Sequence, residues 1–177
     1  YLMTNGQVLL QSRTGRSDGT PWVDQWWLYS PDALGGYAKG SFRKIASPSA
    51  GYNPSNMNGA VLHSGDFMVV GGEQNKDANG NDDNHTNQSY IYSTATGRWT
   101  SVAPPSGAAG DWPHIGAAPF VELADGKVMV GRNSNTPGDL YSVLYEQATD
   151  SWAKTGLNKV GGNIEQGYTL LSRSEEH

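Results

Sequence analysis

Four oxygen-bearing side chains alternate along one polar stretch of the sequence: Asp77, Asn79, Asn81 and Asp83. Calcium prefers carboxylate and amide oxygens, so this stretch is a candidate calcium loop. It matches the EF-hand pattern poorly, because Asp82 and Gln88 stand where that pattern has Gly at its sixth position and Glu at its twelfth. A solvated turn is the alternative interpretation, and we expect no cofactor other than calcium.

A second candidate set combines aromatic rings and imidazoles in polar segments: Trp22, His85, Trp112 and His114. Aromatic and polar side chains together suit the recognition of a sugar or a peptide. The alternative is that Trp112 caps the packed part of the fold and that His114 is a polar residue with its hydrogen bonds satisfied.

Residues for catalysis are harder to find. The four histidines, His63, His85, His114 and His177, show no ligand spacing, and no nucleophilic serine motif or pair of catalytic carboxylates stands out. The chain has no cysteine, which excludes disulfides and thiolate metal sites. We therefore expect a binding protein rather than an enzyme.

The elements that position these residues repeat along the chain. The turn glycines Gly6, Gly65 and Gly126 are spaced by 59 and 61 residues, and each precedes a short apolar run. Tyr92 precedes Trp99 by seven residues, as Tyr145 precedes Trp152. Short β-branched and aromatic runs bounded by Gly and Asn are typical of strands. A period of this length in an all-β chain predicts the blades of a propeller.

The repeat resembles the kelch motif, which is a strand ending in a diglycine, then a Tyr and, seven residues later, a Trp. The second copy has all four residues, Gly71, Gly72, Tyr92 and Trp99. The third copy keeps Gly131, Tyr145 and Trp152 but has Arg132 in place of the second glycine, and the first copy, with Gln11-Ser12 there, matches loosely. We expect Trp99 and Trp152 to be largely buried at equivalent positions.

Further stretches make the chain similar to bacterial kelch-type, galactose-oxidase-like propellers: Trp26–Asp32, Val121–Gly126 and Glu165–Leu171. This resemblance implies a propeller fold and is nearly silent on function. Copper radical oxidases of that fold carry a Tyr crosslinked to a Cys, a second Tyr and two His around copper. The present chain lacks Cys, so such a crosslink cannot form within it.

We therefore predict an all-β chain with about three four-stranded antiparallel blades. The expected boundaries are about 1–47, 58–103 and 114–156, with the start of a fourth blade at 164–177, all in one propeller segment. Propellers usually have about four to eight blades, so we expect an incomplete ring. The rest of the ring would come from a longer polypeptide or from other chains, and the missing initiator Met suggests an N-terminus that is processed or cut.

In an up-and-down blade, successive connections alternate between the two faces. The longest connections should therefore share one face, and binding loops concentrate where a rigid scaffold presents them. Only 31–40 is expected on the opposite face. The connections on the shared face are 13–24, 48–58, 73–87, 104–113, 132–139 and 156–164.

The charge and hydropathy of the sequence limit the kinds of partner that we expect for this chain. The net charge is −5 and no basic stripe occurs, so we expect no nucleic-acid partner. No apolar run is long enough to span a membrane. The leading hypothesis is a non-catalytic kelch-type segment, extracellular or on the cell surface, that binds a glycan or a protein through its long-loop face. The alternatives are a fragment of a copper radical oxidase whose metal site lies outside this chain, and a structural subunit of a surface fibre or assembly.

Overall fold

The computed structural model describes residues 1–14, 23–76, 82–132, 140–157 and 167–169. These residues form antiparallel sheets in which the strands pair largely in chain order. Blade one is a three-stranded sheet, in the order β1 (Val8–Thr14), β2 (Val23–Ser30) and β3 (Ser41–Ile45). Leu2 makes an antiparallel bridge to Val8 and so occupies the expected place of an innermost strand.

Blades two and three are four-stranded sheets, as the sequence predicts. Blade two has the order β4 (Asn58–Val61), β5 (Phe67–Val70), β8 (Ser89–Ser93) and β9 (Arg98–Val102). Blade three has the order β10 (Phe120–Glu122), β11 (Val128–Val130), β12 (Tyr141–Glu146) and β13 (Ser151–Leu157). Two three-residue 3-10 helices, Tyr37–Lys39 and Gly107–Ala109, lie in connections.

One predicted loop is structured differently from the prediction. The stretch 73–87 contains a hairpin of β6 (Glu73–Lys76) and β7 (Asp82–His85). Its strands carry mainly polar side chains, so the alternation of apolar and polar residues that indicates a strand is absent.

The strand register makes the three blades equivalent. In each blade, a Tyr on the strand next to the outermost one has a cross-strand partner on either side. On the outer side the partner is an aromatic residue of the outermost strand, and on the inner side it is Val or Phe. The three sets are Val8–Tyr29–Phe42, Phe67–Tyr92–Trp99 and Val128–Tyr145–Trp152. We call the side of each sheet that carries these residues its Tyr/Trp side, and the other its reverse side.

Side-chain alternation along β5 explains how the blades stack. Phe67 and Val69 face blade one, Met68 and Val70 face blade three, and all four are at most 1% exposed. Because a strand's side chains alternate with a period of two, a strand buried on both sides is apolar throughout. The Tyr/Trp side of blade two thus packs on the reverse side of blade one, and blade three packs on blade two in the same way.

The two motif tryptophans lie at equivalent positions of blades two and three, as predicted, and pack against the core clusters. Trp99 and Trp152 are only partly buried, each at the margin of its core cluster. Their indole N–H groups donate to the carbonyl oxygens of Ala46 (2.8 Å) and Ala103 (2.7 Å). Each Trp therefore stays at the outer strand, where its ring packs inward while its N–H reaches the chain that leaves the preceding blade.

No helix in the described ranges is both long enough and apolar enough to cross a membrane.

Candidate functional site

Three of the predicted long connections, 48–58, 73–87 and 104–113, contact one another at one end of the sheets. The other three, 13–24, 132–139 and 156–164, lie largely outside the described residues. The backbone N–H groups of Ser55 and Glu73 donate to the carbonyls of Glu73 and Asn56, which joins the first crossing to β6. The N–H groups of Ile115 and Gly116 both donate to the carbonyl of Thr86, which joins the second crossing to the end of β7. We call this surface, made of 48–57, the β6–β7 hairpin and 104–116, the loop face.

Gly71 and Gly72, the diglycine of the kelch motif, lie where the two crossings contact the end of β5. Gly71 and Gly72 have φ angles of 62° and 124°, which side-chain-bearing residues rarely adopt. A Cβ added at Gly71 would lie 2.6 Å from the carbonyl oxygen of Gly116, and one at Gly72 would lie 2.4 Å from Cβ of Pro54. The two glycines thus allow both crossings to approach the end of β5.

Buried polar groups hold the hairpin in place. Asn75 is 2% exposed, its Oδ1 accepts the backbone N–H of Asn53 at 2.8 Å, and its Nδ2 donates to the carbonyl of Gly51 at 3.0 Å. Burial, followed by the charge on nearby Tyr90, raises the pKa of Tyr52 well above its usual value. The neutral Tyr52 hydroxyl donates to the carbonyl of Gly71 at 2.8 Å. These satisfied buried groups fix the first crossing against β6 and the end of β5.

Two of the four predicted ligand-binding residues come together on this face. The rings of His85 and His114 have centroids 6.1 Å apart in an edge-to-face arrangement. Nδ1 of His114 lies 2.8 Å from the carbonyl oxygen of His85, and Nδ1 of His85 lies 3.5 Å from Oε1 of Glu73. Since a carbonyl oxygen only accepts, Nδ1 of His114 carries the proton and its Nε2 is left as an acceptor when the ring is neutral. We call His85, His114 and Glu73, with the neighbouring Gln74, the histidine patch.

Gln74 was not predicted from the sequence. It is exposed, it has a φ of 48°, and its Oε1 accepts the hydroxyl of Ser55 at 3.0 Å. A residue other than Gly in the left-handed region is strained, and such residues cluster at functional sites. The diglycine just before it, which ends β5 and turns the chain sharply, is the one signal in the sequence near this position.

Trp112 lies beneath the loop face rather than on it. The side chain is 2% exposed, and its Nε1 donates to the hydroxyl of Tyr141 at 3.2 Å. The guanidinium of Arg132 sits 5.5 Å from the ring centroid. This placement agrees with the alternative interpretation, in which Trp112 caps the packed part of the fold. A sugar ring cannot stack on it without displacing these contacts.

The remaining predicted residues fall largely outside the described ranges. Trp22 and three members of the calcium motif, Asp77, Asn79 and Asn81, lie outside them. Asp83 lies on β7, where its backbone pairs with Asn75. The calcium site therefore stays a prediction.

The rest of the kelch motif supports packing. Tyr145 is 2% exposed and donates to Oδ1 of Asp150 at 2.9 Å, and Gly131 donates its N–H to the carbonyl of Pro119. Burial, and then the hydrogen bond to Asp150, raises the pKa of Tyr145.

No protein-family model and no curated protein matches the chain. Many solved structures are similar to it, and two of them illustrate the likeness. One is a fungal alcohol oxidase of the AA5 family in complex with copper, 18% identical over 94% of this chain with a TM-score of 0.58. The other is YjhT, 14% identical over 88% of this chain with a TM-score of 0.54. The sheets of this chain have the fold of part of a β-propeller, as in galactose-oxidase-like and kelch-type proteins. At such identities the likeness shows the fold alone, and the chain spans only 31% of the oxidase and 54% of YjhT.

The similarity to a copper enzyme raises the question of whether the described side chains could hold a copper ion. Among the described residues, no three His, Asp or Glu side chains come together in a way that could hold a metal ion. His85 and His114 approach each other, with ring centroids 6.1 Å apart, but they do not form such a group with a third side chain. The described residues do not fit a copper centre, and we derive no oxidation step from them.

Proposed function

We propose that this chain is a non-catalytic segment of a kelch-type propeller, and that it binds a protein or a glycan through the loop face. One observation supports this most strongly: a fixed scaffold presents the histidine patch, with His114 exposed and the His85 side chain 40% exposed. The two rings and the Glu73 carboxylate lie close together, and Gln74 next to Glu73 in the sequence adds an amide, so the patch offers both donors and acceptors. Such convergent polar groups provide orientation and specificity in binding sites.

The patch favours a ligand recognised by hydrogen bonds rather than by stacking on an exposed indole. Trp112 is buried, so among the described residues the exposed rings of the patch are imidazoles. The carboxylate of Glu73, whose side chain is 18% exposed, adds negative charge beside His85. Peptide surfaces carry amides and basic groups that match this set, and sugar hydroxyls match its donors and acceptors equally.

The test compares wild type with the double variant His85→Ala/His114→Ala on an array of defined glycans. In a second arm, a photo-crosslinking residue replaces Gln74, and crosslinks are sought on intact cells and in culture medium of the source organism. The matched control is Asp125→Asn, on the turn before β11 at the opposite face. We expect a specific binder in one arm that the double variant loses and the control keeps. Equal binding by all three proteins, or no binder in either arm, would refute the proposal.

Crosslinking also tests the extracellular or cell-surface location that the proposal includes. Specific glycan binding on the array, with no crosslink on intact cells or in the medium, would contradict that location while leaving the binding role intact.

A copper oxidase fragment is the second candidate, and the similarity to the AA5 alcohol oxidase favours it. Any copper ligands would then lie outside the described residues. Metal analysis of the intact protein from its source decides between the two candidates, since stoichiometric copper supports the oxidase and its absence supports the binding segment.

A further inference from the structure

A cleft between blades two and three opens at the end of the sheets that lies opposite the loop face. It has a volume of about 290 Å³, and Asp66, directly before β5, and Asp150, directly before β13, both line it. Its apolar walls are Ile91 and Val102 on the reverse side of blade two and Tyr145 on the Tyr/Trp side of blade three, all at most 8% exposed. These two sides pack on each other through one core cluster, so described residues alone form the walls.

The two carboxylates of the cleft are each held in place through one oxygen. Oδ1 of Asp66 accepts the backbone N–H of Thr94 at 3.1 Å. Oδ1 of Asp150 accepts the hydroxyl of Tyr145 at 2.9 Å. Within the described ranges, neither Oδ2 atom has a hydrogen-bond partner, no basic side chain lines the cleft, and Arg98 on β9 makes no ion pair with either carboxylate. Two oriented acceptors therefore remain available beside an apolar wall.

Both carboxylates depart from the residues at the equivalent positions of the first interface. The position of Asp66, directly after the turn glycine, is Gln7 in blade one, and Nε2 of Gln7 donates to the hydroxyl of Ser30 at 2.7 Å. The position of Asp150, five residues after the motif Tyr, is Gly97 in blade two. Both residues have a positive φ, 47° for Asp150 and 68° for Gly97, and Gly adopts this conformation without strain. The packing of two blades therefore does not require a carboxylate at either position.

We propose that this cleft binds a lysine or arginine side chain of a partner protein. The aliphatic part of such a side chain lies along apolar surface while its charged end reaches polar groups, which matches apolar walls with carboxylates beside them. Hydrogen bonds between a cation and a carboxylate are stronger than those between neutral groups. Gln147 and Thr100, which also line the cleft, add an amide and a hydroxyl oxygen as further acceptors. The site lies on the face opposite the histidine patch and does not rest on binding through the loop face.

NMR titration of the protein with three capped tripeptides tests the proposal. Two have lysine or arginine between glycines, and the third has norleucine there as a neutral probe of similar size. We expect saturable shifts of the backbone amide signals of Thr100 and Gln147 with the two basic peptides and none with the neutral one. Asp66→Asn and Asp150→Asn keep the size and one acceptor oxygen, and each should weaken binding by roughly tenfold or more, because a charge-assisted hydrogen bond is lost. Asp125→Asn removes the same charge from a turn on the same face, outside the cleft, and should bind as wild type does.

The double variant His85→Ala/His114→Ala separates this proposal from the one for the loop face. It should bind the basic peptides as wild type does, whatever it loses on the glycan array. Equal shifts with the norleucine peptide would overturn the proposal, since the cleft would then recognise apolar surface alone. Shifts of the same signals by methyl glycosides, without shifts by the basic peptides, would identify a sugar site and refute it equally, as would no saturable shift with any probe. If either Asn variant fails to fold, the contrast between basic and neutral peptides on wild type still decides.

Discussion

The two interfaces between blades share a strand register but not a chemistry. Between blades one and two the contact is aromatic, with Trp26 at its centre, 4.8 Å from the ring of Trp99 and 6.2 Å from that of Phe67. Between blades two and three the centre is aliphatic, and the aromatic pairs Trp112–Tyr141 and Tyr145–Trp152 accompany it. The same blade geometry therefore allows either an aromatic or an aliphatic interface, provided that the side chains are close-packed.

The clearest way to break this comparison is to truncate one central residue in each interface. Trp26 and Val143 are both 0% exposed. Trp26→Ala should lower the free energy of unfolding by about 3–5 kcal/mol, the range for large aromatics removed from cores. Val143→Ala should lower it by about 2 kcal/mol, since two methyl groups are lost. Urea unfolding measures both, and equal losses would show that the aromatic interface does not concentrate stability in single side chains.

A second test targets the diglycine, where both interfaces meet the loop face. Gly72→Ala places a methyl group 2.4 Å from Pro54, whereas Gly126→Ala, at a φ of 84°, meets no atom within 4 Å. Both substitutions strain the backbone, by about 1–2 kcal/mol. Gly72→Ala should lose a further 1–3 kcal/mol, roughly, from overpacking. If thermal unfolding shows equal losses for the two variants, the close approach of the crossing is not maintained in solution.

The third test concerns the feature that the interfaces share. Trp99→Phe and Trp152→Phe each remove one indole hydrogen bond to a crossing carbonyl, and each should cost about 1 kcal/mol. Trp26→Phe is a comparison without such a bond, because Nε1 of Trp26 has no hydrogen-bond partner, and its cost should come from the lost ring volume alone. A large difference between the Trp99 and Trp152 variants in urea unfolding would mean that the two interfaces are not equivalent at their margins.

The smallest expected effect is a loss of stability when two buried tyrosines ionise, and it occurs only at alkaline pH. Burial raises the pKa of Tyr52 in the first interface and of Tyr145 in the second, where the hydrogen bond to Asp150 contributes next. In the unfolded chain a tyrosine has a pKa of about 10, and in the folded protein these two have a higher pKa. Their contribution to stability is therefore fully present below about pH 10, and it is lost as the pH rises from there towards the folded-state pKa. Tyr52→Phe and Tyr145→Phe should flatten this fall at pH values above about 10.

Trp99→Phe removes no ionisable group and should keep the wild-type slope of stability against pH. Tyrosine absorbance follows the ionisation directly. If all variants show the wild-type slope, the alkaline loss of stability arises elsewhere in the chain.

The sequence predicts the sheets well because their signals are local and repeated. Turn glycines and the seven-residue Tyr–Trp spacing locate the outer strands, and the uninterrupted apolar run Phe67–Val70 is typical of a strand buried on both sides. The β6–β7 hairpin is missed because its strands are mainly polar. It is held by the buried amide of Asn75, and a single Asn carries no sign of such burial in a sequence.

The candidate site could be predicted only in part, for a related reason. His85 and His114 are 29 residues apart in the sequence. They come together because the backbone N–H groups of Ile115 and Gly116 both donate to the carbonyl oxygen of Thr86. Trp112 precedes a Pro in a polar connection, which suggests exposure. The hydroxyl of Tyr141, also 29 residues away, nevertheless gives its indole N–H a buried partner. Long-range hydrogen bonds of this kind leave no pattern in the neighbouring residues.

The bonds from Trp99 to Ala46 and from Trp152 to Ala103 also bear on how the chain is made. They span 53 and 49 residues, about one blade each, and each fastens a blade to the one synthesised just before it. Folding can then proceed vectorially on the ribosome, because every new blade docks on a surface that has already emerged. Each docking step closes a loop of about one repeat, so its entropic cost stays nearly constant as the polypeptide lengthens.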